Sequence, residues 1–212
     1  SRTSGDASAR GSPWKGRADA TPRGMTAVIP RDRGGAYKEY PVIKCDIRLC
    51  VGCRICEVTC SAFHFGAVSP ALSRIRVAKL EEIGIDMAVA CVSCAEKSCL
   101  VCPTDALTVG EEGEIALARE LCTSCQECVS ACPVGAVGFY EDLPLFCDLC
   151  DGDVSCVRTC PTDALSNVDE GGESLEAFAA SDGNPAEKRA AYVEVQGVPL
   201  RDSWAAGQRV DS

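Results

Sequence analysis

The stretch Cys122-Thr-Ser-Cys125-Gln-Glu-Cys128-Val-Ser-Ala-Cys132-Pro133 decides how this chain folds. Its spacing, C-x2-C-x2-C-x3-C-P, is typical of loops that hold a [4Fe–4S] cluster. The first three thiolates lie on one tight loop, and the fourth follows on a short helical turn that the proline ends. Where two clusters are present, the fourth thiolate binds the other cluster. Zinc or disulfide knots are the alternatives, but crowded runs at this spacing favour iron–sulfur ligation.

Three more groups of four cysteines lie along the chain, and the groups are numbered as sets one to four in chain order. Sets one and four have the spacings x2, x2, x3 and x2, x5, x3, whereas set two has x2, x4, x2. The last gap of set two is one residue shorter, but positions i+3 and i+4 of a helix face roughly the same way. The four sets are Cys50, Cys53, Cys56 and Cys60; Cys91, Cys94, Cys99 and Cys102; Cys122, Cys125, Cys128 and Cys132; and Cys147, Cys150, Cys156 and Cys160.

Sixteen cysteines in four sets predict four [4Fe–4S] clusters, with fourth ligands exchanged between sets two and three and between sets one and four. The two exchanges predict a row of clusters with one pair at each end. The seventeenth cysteine, Cys45, is expected to be a small buried residue that binds no iron. The expected ligands, cluster by cluster, are Cys91, Cys94 and Cys99 with Cys132; Cys122, Cys125 and Cys128 with Cys102; Cys50, Cys53 and Cys56 with Cys160; and Cys147, Cys150 and Cys156 with Cys60.

An internal repeat indicates the fold class. Cys102-Pro-Thr-Asp-Ala-Leu107 recurs as Cys160-Pro-Thr-Asp-Ala-Leu165, with Cys132-Pro-Val-Gly-Ala-Val137 between them. Each unit combines a cluster loop, a helical turn and a strand, which predicts an α+β fold of tandem or nested two-cluster ferredoxin-like units, a polyferredoxin. Hydrophobic alternation and glycine-bounded turns predict strands at 40–46, 70–80, 85–89 and 136–140, and a hairpin of 106–109 with 114–117.

Residues 41–168 are expected to form the four-cluster domain. The inner pair of clusters occupies about 85–140, and the outer pair combines 41–66 with 141–168. Aromatic residues are only 5% of the chain, so the clusters themselves are expected to act as much of the core and to couple folding to metal binding.

Both ends of the chain are polar and are expected to be long extended tails. Residues 1–40 predict a basic arm that binds an acidic surface, either on a catalytic subunit or on a second copy of this chain. Met25 leaves open whether residues 1–24 are native. Residues 169–212 predict a tail with an edge strand starting at Tyr192, and this tail is expected to lie on a partner.

Composition limits the cellular compartments and the classes of partner that are compatible with this chain. An odd number of cysteines at C-x-x-C spacing argues against a secreted disulfide scaffold, and no signal peptide or membrane-length apolar run is recognisable. We therefore expect a cytoplasmic protein without membrane insertion. The net charge is −10, made up of +4 over residues 1–40 and −14 over residues 41–212. An acidic body argues against nucleic-acid binding and suits basic patches of redox partners, although acidity also simply aids solubility.

At these motifs the chain resembles the four-cluster ferredoxin-like subunits of molybdenum and tungsten oxidoreductases. The resemblance covers about residues 41–168, and within this range the chain is most similar to the small electron-transfer subunit of tungsten aldehyde oxidoreductases. It implies a subunit of anaerobic metabolism that relays single electrons between a large tungsten- or molybdenum-pterin subunit and a second redox partner, either a flavin/NAD subunit or a soluble ferredoxin. The stretches that carry it are Cys53-Arg-Ile-Cys56-Glu, Pro70-Ala-Leu-Ser-Arg-Ile-Arg and Phe146-Cys-Asp-Leu-Cys-Asp-Gly152.

Three alternatives stay open from the sequence. One is an iron–sulfur subunit of another complex, of the benzoyl-CoA reductase, formate dehydrogenase, hydrogenase or CO dehydrogenase type. Another is a free-standing polyferredoxin. The third is an enzyme that binds substrate at an open iron, which requires Cys102 to fail as a ligand. Walker, G-x-G-x-x-G and H-E-x-x-H motifs are absent, so no catalytic site is expected, and His64 is expected to be a packing or surface residue.

Overall fold

The computed structural model describes residues 41–110, 113–179 and 182–207, so the predicted N-terminal arm lies outside the described residues. The described strands form four antiparallel ribbons of two strands each. Two-stranded ribbons are marginally stable alone, so each depends on the helices and cysteine loops around it. The ribbons pair β1 (Val42–Cys45) with β8 (Leu165–Val168), β2 (Arg76–Leu80) with β3 (Ile85–Val89), β4 (Leu107–Val109) with β5 (Ile115–Leu117), and β6 (Gly138–Tyr140) with β7 (Leu143–Leu145).

Helices and 3-10 turns alternate with these ribbons, which gives the mixed α+β architecture that the sequence predicts. The 3-10 turns span Pro70–Leu72, Ser98–Leu100, Arg119–Leu121 and Leu149–Gly152. The α-helices are α1 (Ile55–Phe65), α2 (Glu127–Ala131), α3 (Ser155–Arg158), α4 (Glu176–Ala179) and α5 (Pro185–Ala205).

The β1–β8 ribbon joins the start of the cysteine-rich region to its end. Val42 pairs with Val168 and Cys45 with Leu165, and the Asp46 amide donates to the carbonyl oxygen of Ala164 at 2.7 Å. Helices α1 and α3 pack against each other beside this ribbon. Set one and set four are therefore neighbours in space although they lie at opposite ends of the sequence of sets.

Proline decides how long each cysteine-bearing helix becomes. Sets two, three and four have proline directly after their last cysteine, and their helical turns are short, as in α2 and α3. Set one has Ser61 at that position, and α1 runs on for eleven residues to Phe65. Gly66, with a φ of 65°, then ends α1 by donating its N–H to the carbonyl of Ala62.

The strand expected at 85–89 is confirmed with its bounds, and those expected at 40–46 and 136–140 and in the hairpin of 106–109 with 114–117 are confirmed over 42–45, 138–140, 107–109 and 115–117; residue 40 lies outside the described residues. The strand expected over 70–80 is wrong in its first half. Pro70 fixes φ and lacks an N–H, and a 3-10 turn forms there instead. The Ser73 hydroxyl then donates to the carbonyl of Ile75 at 2.6 Å, and the strand begins only at Arg76.

The expected edge strand at Tyr192 is wrong, because residues 185–205 form the helix α5. Its start carries a capping box: the Asn184 side chain accepts from the amides of Ala186 and Glu187, and the Glu187 carboxylate accepts from the Asn184 amide. Pro185 at the first helical position strengthens this start. The described C-terminal part is thus helical from residue 185 rather than extended.

Helix α5 packs on the β2–β3 ribbon and completes the larger of two hydrophobic cores. Tyr192 and Val193 are buried in it, and Leu175 just before α4 is only 1% exposed. Gly197 permits the close approach, since a Cβ there would lie 2.9 Å from Cγ2 of Ile85. The smaller core combines side chains of α1, α3 and the β1–β8 ribbon with several cysteines.

Candidate metal centres

One backbone conformation recurs at two positions in all four cysteine sets. The residue directly before the second cysteine has a positive φ, of 61°, 48°, 58° and 53° in set order. The residue two positions before the third cysteine also has a positive φ, of 62°, 45°, 62° and 39°. These residues are Gly52, Ser93, Ser124 and Leu149 at the first position and Arg54, Lys97, Gln126 and Val154 at the second.

Only one of these eight residues is glycine. A left-handed backbone costs a residue with a Cβ roughly 1–2 kcal/mol, so the surrounding fold must impose it. Backbone that alternates between right- and left-handed conformations forms a concavity lined by N–H groups, which binds anionic groups such as iron–sulfur clusters. The left-handed positions shared by the four loops are compatible with such a concavity.

The thiols expected to hold the set-three cluster line a single cavity. They are Cys102, Cys122, Cys125 and Cys128. Cys102 lies beside set three despite the short gap that precedes it in set two. Four thiols around one cavity are the donor set of a [4Fe–4S] cluster, so the residues fit this group. The walls between the thiols are mostly apolar, with Ala106, Leu107, Leu117, Phe139 and Pro144 among them.

Hydrogen bonds favour the thiolate form of Cys102. Burial opposes ionisation of this thiol, but hydrogen bonds with the Thr104 hydroxyl and with the amides of Thr104, Ala106 and Leu107 hold its pKa below the usual value. The repeat places the same environment at Cys160. There burial is outweighed by the Thr162 amide and hydroxyl and by the amides of Leu165 and Ala164, so the Cys160 pKa is also lowered.

Cys132 lies next to the thiols of set two. Burial raises the pKa of Cys91 to about 11, and among the neighbouring thiols Cys132 makes the largest further contribution to this shift. Burial, followed by Cys91 and Cys132, also raises the pKa of Cys99. The Cys132 sulfur accepts a hydrogen bond from the Ala136 amide at 3.2 Å. Cys132 thus interacts electrostatically with Cys91 and Cys99 of set two, which is compatible with the predicted exchange of fourth ligands.

Cys60 likewise lies next to the thiols of set four. Burial raises the pKa of Cys156 to about 12, with further contributions from Cys150 and Cys60. Cys60 is also among the thiols that raise the pKa of Cys150, after burial. The Cys60 sulfur accepts from the amide of Arg74 at 3.2 Å.

The remaining group combines set one with Cys160. Burial and then the neighbouring Glu57 carboxylate raise the pKa of Cys56 to about 12, and Cys50 contributes less. Cys160 packs against the same core cluster as Cys56. Cys53 is exposed, and the only other exposed cysteine among the described residues is Cys125 in set three.

Two contacts extend beyond these groups. Burial raises the pKa of Cys147 in set four, and among the thiols Cys91 of set two contributes most to this shift. The inner and outer pairs of sets are therefore neighbours at these two cysteines. Cys45 hydrogen-bonds to Cys50, and this bond lowers the Cys50 pKa to about 6. The same bond and burial raise the pKa of Cys45, and Cys45 would be the donor of the pair when Cys50 binds iron as a thiolate.

Set four has a polar neighbour that the sequence did not reveal. His64 Nε2 lies 3.6 Å from the sulfur of Cys150 and 3.4 Å from a carboxylate oxygen of Asp148. Asp148 in turn pairs with the guanidinium of Arg74. Burial and then Arg74 lower the pKa of His64 to about 4, against the opposing effect of Asp148. The expectation that His64 is merely packing or surface overlooked this contact, because 86 residues separate it from Cys150.

Comparison with known proteins gives one family match. The model of a 4Fe–4S binding domain (Fer4) matches residues 117–137, which include all of set three and the five residues that lead from it to strand β6. The match is to a 4Fe–4S binding sequence and coincides with the cysteine loop of set three.

The relatives are named as a polyferredoxin-like subunit, a putative electron transport protein and a subunit of formate hydrogenlyase. The chain is 48% identical over 86 residues to the polyferredoxin-like subunit of an aliphatic sulfonate oxidoreductase from Pyrococcus furiosus, covering 40% of this chain and 49% of that protein. It is 41% identical over 100 residues to the putative electron transport protein YsaA of Escherichia coli K12, covering 43% and 62%. It is 37% identical over 101 residues to formate hydrogenlyase subunit 2 of the same organism, covering 47% and 48%.

The chain therefore spans about half to three fifths of these curated relatives. Among solved structures, a chain of the benzoyl coenzyme A reductase complex BamBC, crystallised with benzoyl-CoA, is 30% identical. It covers 60% of this chain and 78% of that chain, with a TM-score of 0.37. No helix in the described ranges has both the length and the apolar character needed to cross a membrane.

Proposed function

We propose that this chain is the electron-relay subunit of an oxidoreductase complex and that it holds four [4Fe–4S] clusters. The observation that carries the proposal is that the same two left-handed backbone positions recur in four loops, each with its own set of cysteines. Each cluster, when bound, supplies a site that accepts and releases one electron. The chain itself would contribute no bond-making residue; the chemistry would belong to a partner's cofactor.

The ligands in this proposal follow the exchange between sets. Cys132 completes set two, Cys102 completes set three, Cys60 completes set four, and Cys160 completes set one. The proximity of Cys132 to Cys91 and Cys99, the cavity shared by Cys102 with set three, and the proximity of Cys60 to Cys150 and Cys156 support it.

A linear order of clusters follows from the remaining contacts. The electrostatic interaction between Cys91 and Cys147 supports an order in which the clusters of sets two and four lie in the middle of the row. Sets one and three are then its ends, and these are the sets with the exposed cysteines Cys53 and Cys125. Electrons would enter at one end of the row and leave at the other, as expected for a relay between two partners.

The proposed partner is a large tungsten- or molybdenum-pterin subunit, as in tungsten aldehyde oxidoreductases, in the cytoplasm of an anaerobe. The quoted motifs and the similarity to a polyferredoxin-like oxidoreductase subunit support this partner. A flavin/NAD subunit or a soluble ferredoxin would serve the other end. Residues 185–205 form α5, which packs on its own domain, so they do not support the expected contact of the C-terminal tail with a partner.

A second candidate is a hydrogenase- or formate-dehydrogenase-type complex, favoured by the similarity to formate hydrogenlyase subunit 2. Affinity purification through this chain under strict anaerobiosis, followed by mass and metal analysis, separates the candidates. We expect a second, larger polypeptide with tungsten or molybdenum. Recovery of nickel would favour the hydrogenase type, and an iron-containing monomer without other metals would favour a free polyferredoxin.

A further inference from the structure

The side chain of His64 is held against set four by contacts from three directions. It projects from α1, its side chain is 9% exposed, and Nε2 lies within hydrogen-bonding reach of Asp148 and in contact with the Cys150 sulfur. The ring of Phe63 packs on it edge to face, with centroids 5.0 Å apart. Arg74 fixes the carboxylate of Asp148 from the other side. The imidazole is therefore positioned rather than free to rotate.

The neighbours of Nε2 determine which tautomer is present. A cysteine sulfur that binds iron is a thiolate, and Asp148 is a carboxylate, so both groups near Nε2 accept hydrogen bonds and neither donates. Nε2 must therefore carry the proton of the neutral ring. One N–H group is then shared between the carboxylate oxygen and the thiolate sulfur.

The same segment also supplies a donor to a second thiolate of set four. Arg74, which orients Asp148 through its guanidinium, donates its backbone N–H to the Cys60 sulfur at 3.2 Å. Two of the four thiolates assigned to this cluster thus receive an N–H group from the region that follows set one. Hydrogen bonds to the sulfur ligands are one of the means by which a protein sets a cluster's reduction potential.

We propose that His64 is a positioning residue that raises the reduction potential of the set-four cluster by donating its Nε2–H to the Cys150 thiolate. The inference rests on the proposed function, since it requires a cluster at set four. Reduction of a bound cluster would add one electron, supplied by the adjoining cluster, and would take it from the 2+ to the 1+ state. The added negative charge is shared with the thiolates, so an N–H donor stabilises the reduced state more than the oxidised one. No proton is transferred in this step.

The contact between His64 and Cys150 is also compatible with a different kind of site. His64, Asp148 and Cys150 offer three ligand atoms within 4.8 Å of one another, which is also compatible with a single metal ion. An ion at this position would take up the Nε2 lone pair and remove the donor. Zinc analysis of the native protein and its variants distinguishes the two arrangements.

A matched set of variants tests the donor. His64→Gln keeps an N–H group near the position of Nε2, His64→Asn withdraws it because its amide is shorter, and His64→Phe keeps a ring without any donor. Phe63→Leu is the control on the same helix, since it removes the edge contact but no donor. Each variant is purified anaerobically as the full chain or its complex, its iron is counted, and its cluster potentials are measured by redox titration with electron paramagnetic resonance.

We expect His64→Asn and His64→Phe to lower one of the potentials while the others stay unchanged. The expected effect is about tenfold in the ratio of reduced to oxidised cluster at fixed potential, which is 59 mV for a one-electron couple. His64→Gln should recover at least half of the shift, and Phe63→Leu should show none. If His64→Phe loses iron, the Gln and Asn pair gives the answer.

Several results would overturn the proposal. Unchanged potentials in His64→Asn with full iron content would do so, as would equal shifts in the Gln and Asn variants, which would point to packing. Stoichiometric zinc that disappears with His64 would replace the donor by a metal ion. Native protein without a full complement of clusters would instead contradict the proposed function, and iron counting reveals this before any potential is measured.

Discussion

The ammonium of Lys188 on helix α5 lies 2.6 Å from the carbonyl oxygen of Ser130 near the end of helix α2. Lys188 is 8% exposed, so this is a buried, charge-assisted hydrogen bond between the C-terminal helix and the helix of set three. The guanidinium of Arg189 donates to the Gly135 carbonyl in the following turn. Positive groups at a helix C-terminus satisfy its unpaired carbonyls and offset its partial negative charge.

Replacing Lys188 by Met tests how much this contact contributes. The Ser130 carbonyl would lose its partner while staying near the interface, so we expect a loss of about 1–3 kcal/mol in the free energy of unfolding. Anaerobic chemical denaturation of the holoprotein, followed by far-ultraviolet circular dichroism, measures it. Arg201→Met on the same helix is the control, because Arg201 pairs only with exposed Asp202 among the contacts described for it, and its loss should cost less than about 0.5 kcal/mol. Equal losses in the two variants would contradict the role of Lys188.

A second prediction concerns the approach of α5 to the β2–β3 ribbon. Gly197→Val would place methyl groups where even a Cβ lies 2.9 Å from Ile85, a residue that is 2% exposed. We expect a loss of about 1–3 kcal/mol from overpacking, and faster proteolysis within residues 185–205. Glu194→Val, at an exposed position of α5, makes a similar β-branched change without the clash. Proteolysis of Gly197→Val at the rate of Glu194→Val would argue against close packing of this helix.

The C-terminal helix shows where sequence reasoning failed and why. The alternation from Tyr192 to Val195 imitates a strand, but the helix buries Tyr192, Val193 and Gly197 against a ribbon that is distant in sequence. Local alternation carries no information about that surface. The signal that could have found the helix is its capping box, in which Asn184 is followed three residues later by Glu187.

Short-range features of the site were predictable, whereas its long-range contacts were not. The strands at 42–45, 85–89 and 138–140 and the hairpin of 107–109 with 115–117 follow from local alternation and turn residues, and the proline after Cys132 correctly marks the end of α2. The contact of His64 with Cys150 and the hydrogen bond of Cys45 to Cys50 depend on how distant or extended segments meet in three dimensions. Only the fold brings such groups together.

Cys45 gives a third prediction. Because it donates a hydrogen bond to Cys50 from the strand β1, its replacement by Ser should keep the donor and the full iron content. Cys50→Ser, five residues along, should by contrast lose iron equivalent to about one cluster, since it removes an assigned ligand. Iron analysis of the two variants side by side decides the point. Loss of a cluster's worth of iron from Cys45→Ser would make Cys45 a ligand.

Ser61 gives a fourth prediction, because it stands where the other three sets have proline. It is fully buried, and its hydroxyl donates to the Val58 carbonyl and accepts from the Ser69 amide. Ser61→Pro should break the second half of α1 and cost about 3 kcal/mol or more. Ser61→Ala removes only the hydroxyl and should cost about 1–3 kcal/mol. Denaturation of both variants measures the difference, and a Ser61→Pro protein as stable as the native one would show that α1 does not need its last turns.

The most direct test of the account is the count of iron and acid-labile sulfide in the anaerobically purified chain. Four [4Fe–4S] clusters predict sixteen iron atoms and sixteen sulfides per chain, without stoichiometric zinc. A value near eight iron atoms, or one zinc for each set of four cysteines, would contradict the assignment of the four sets and with it the proposed relay.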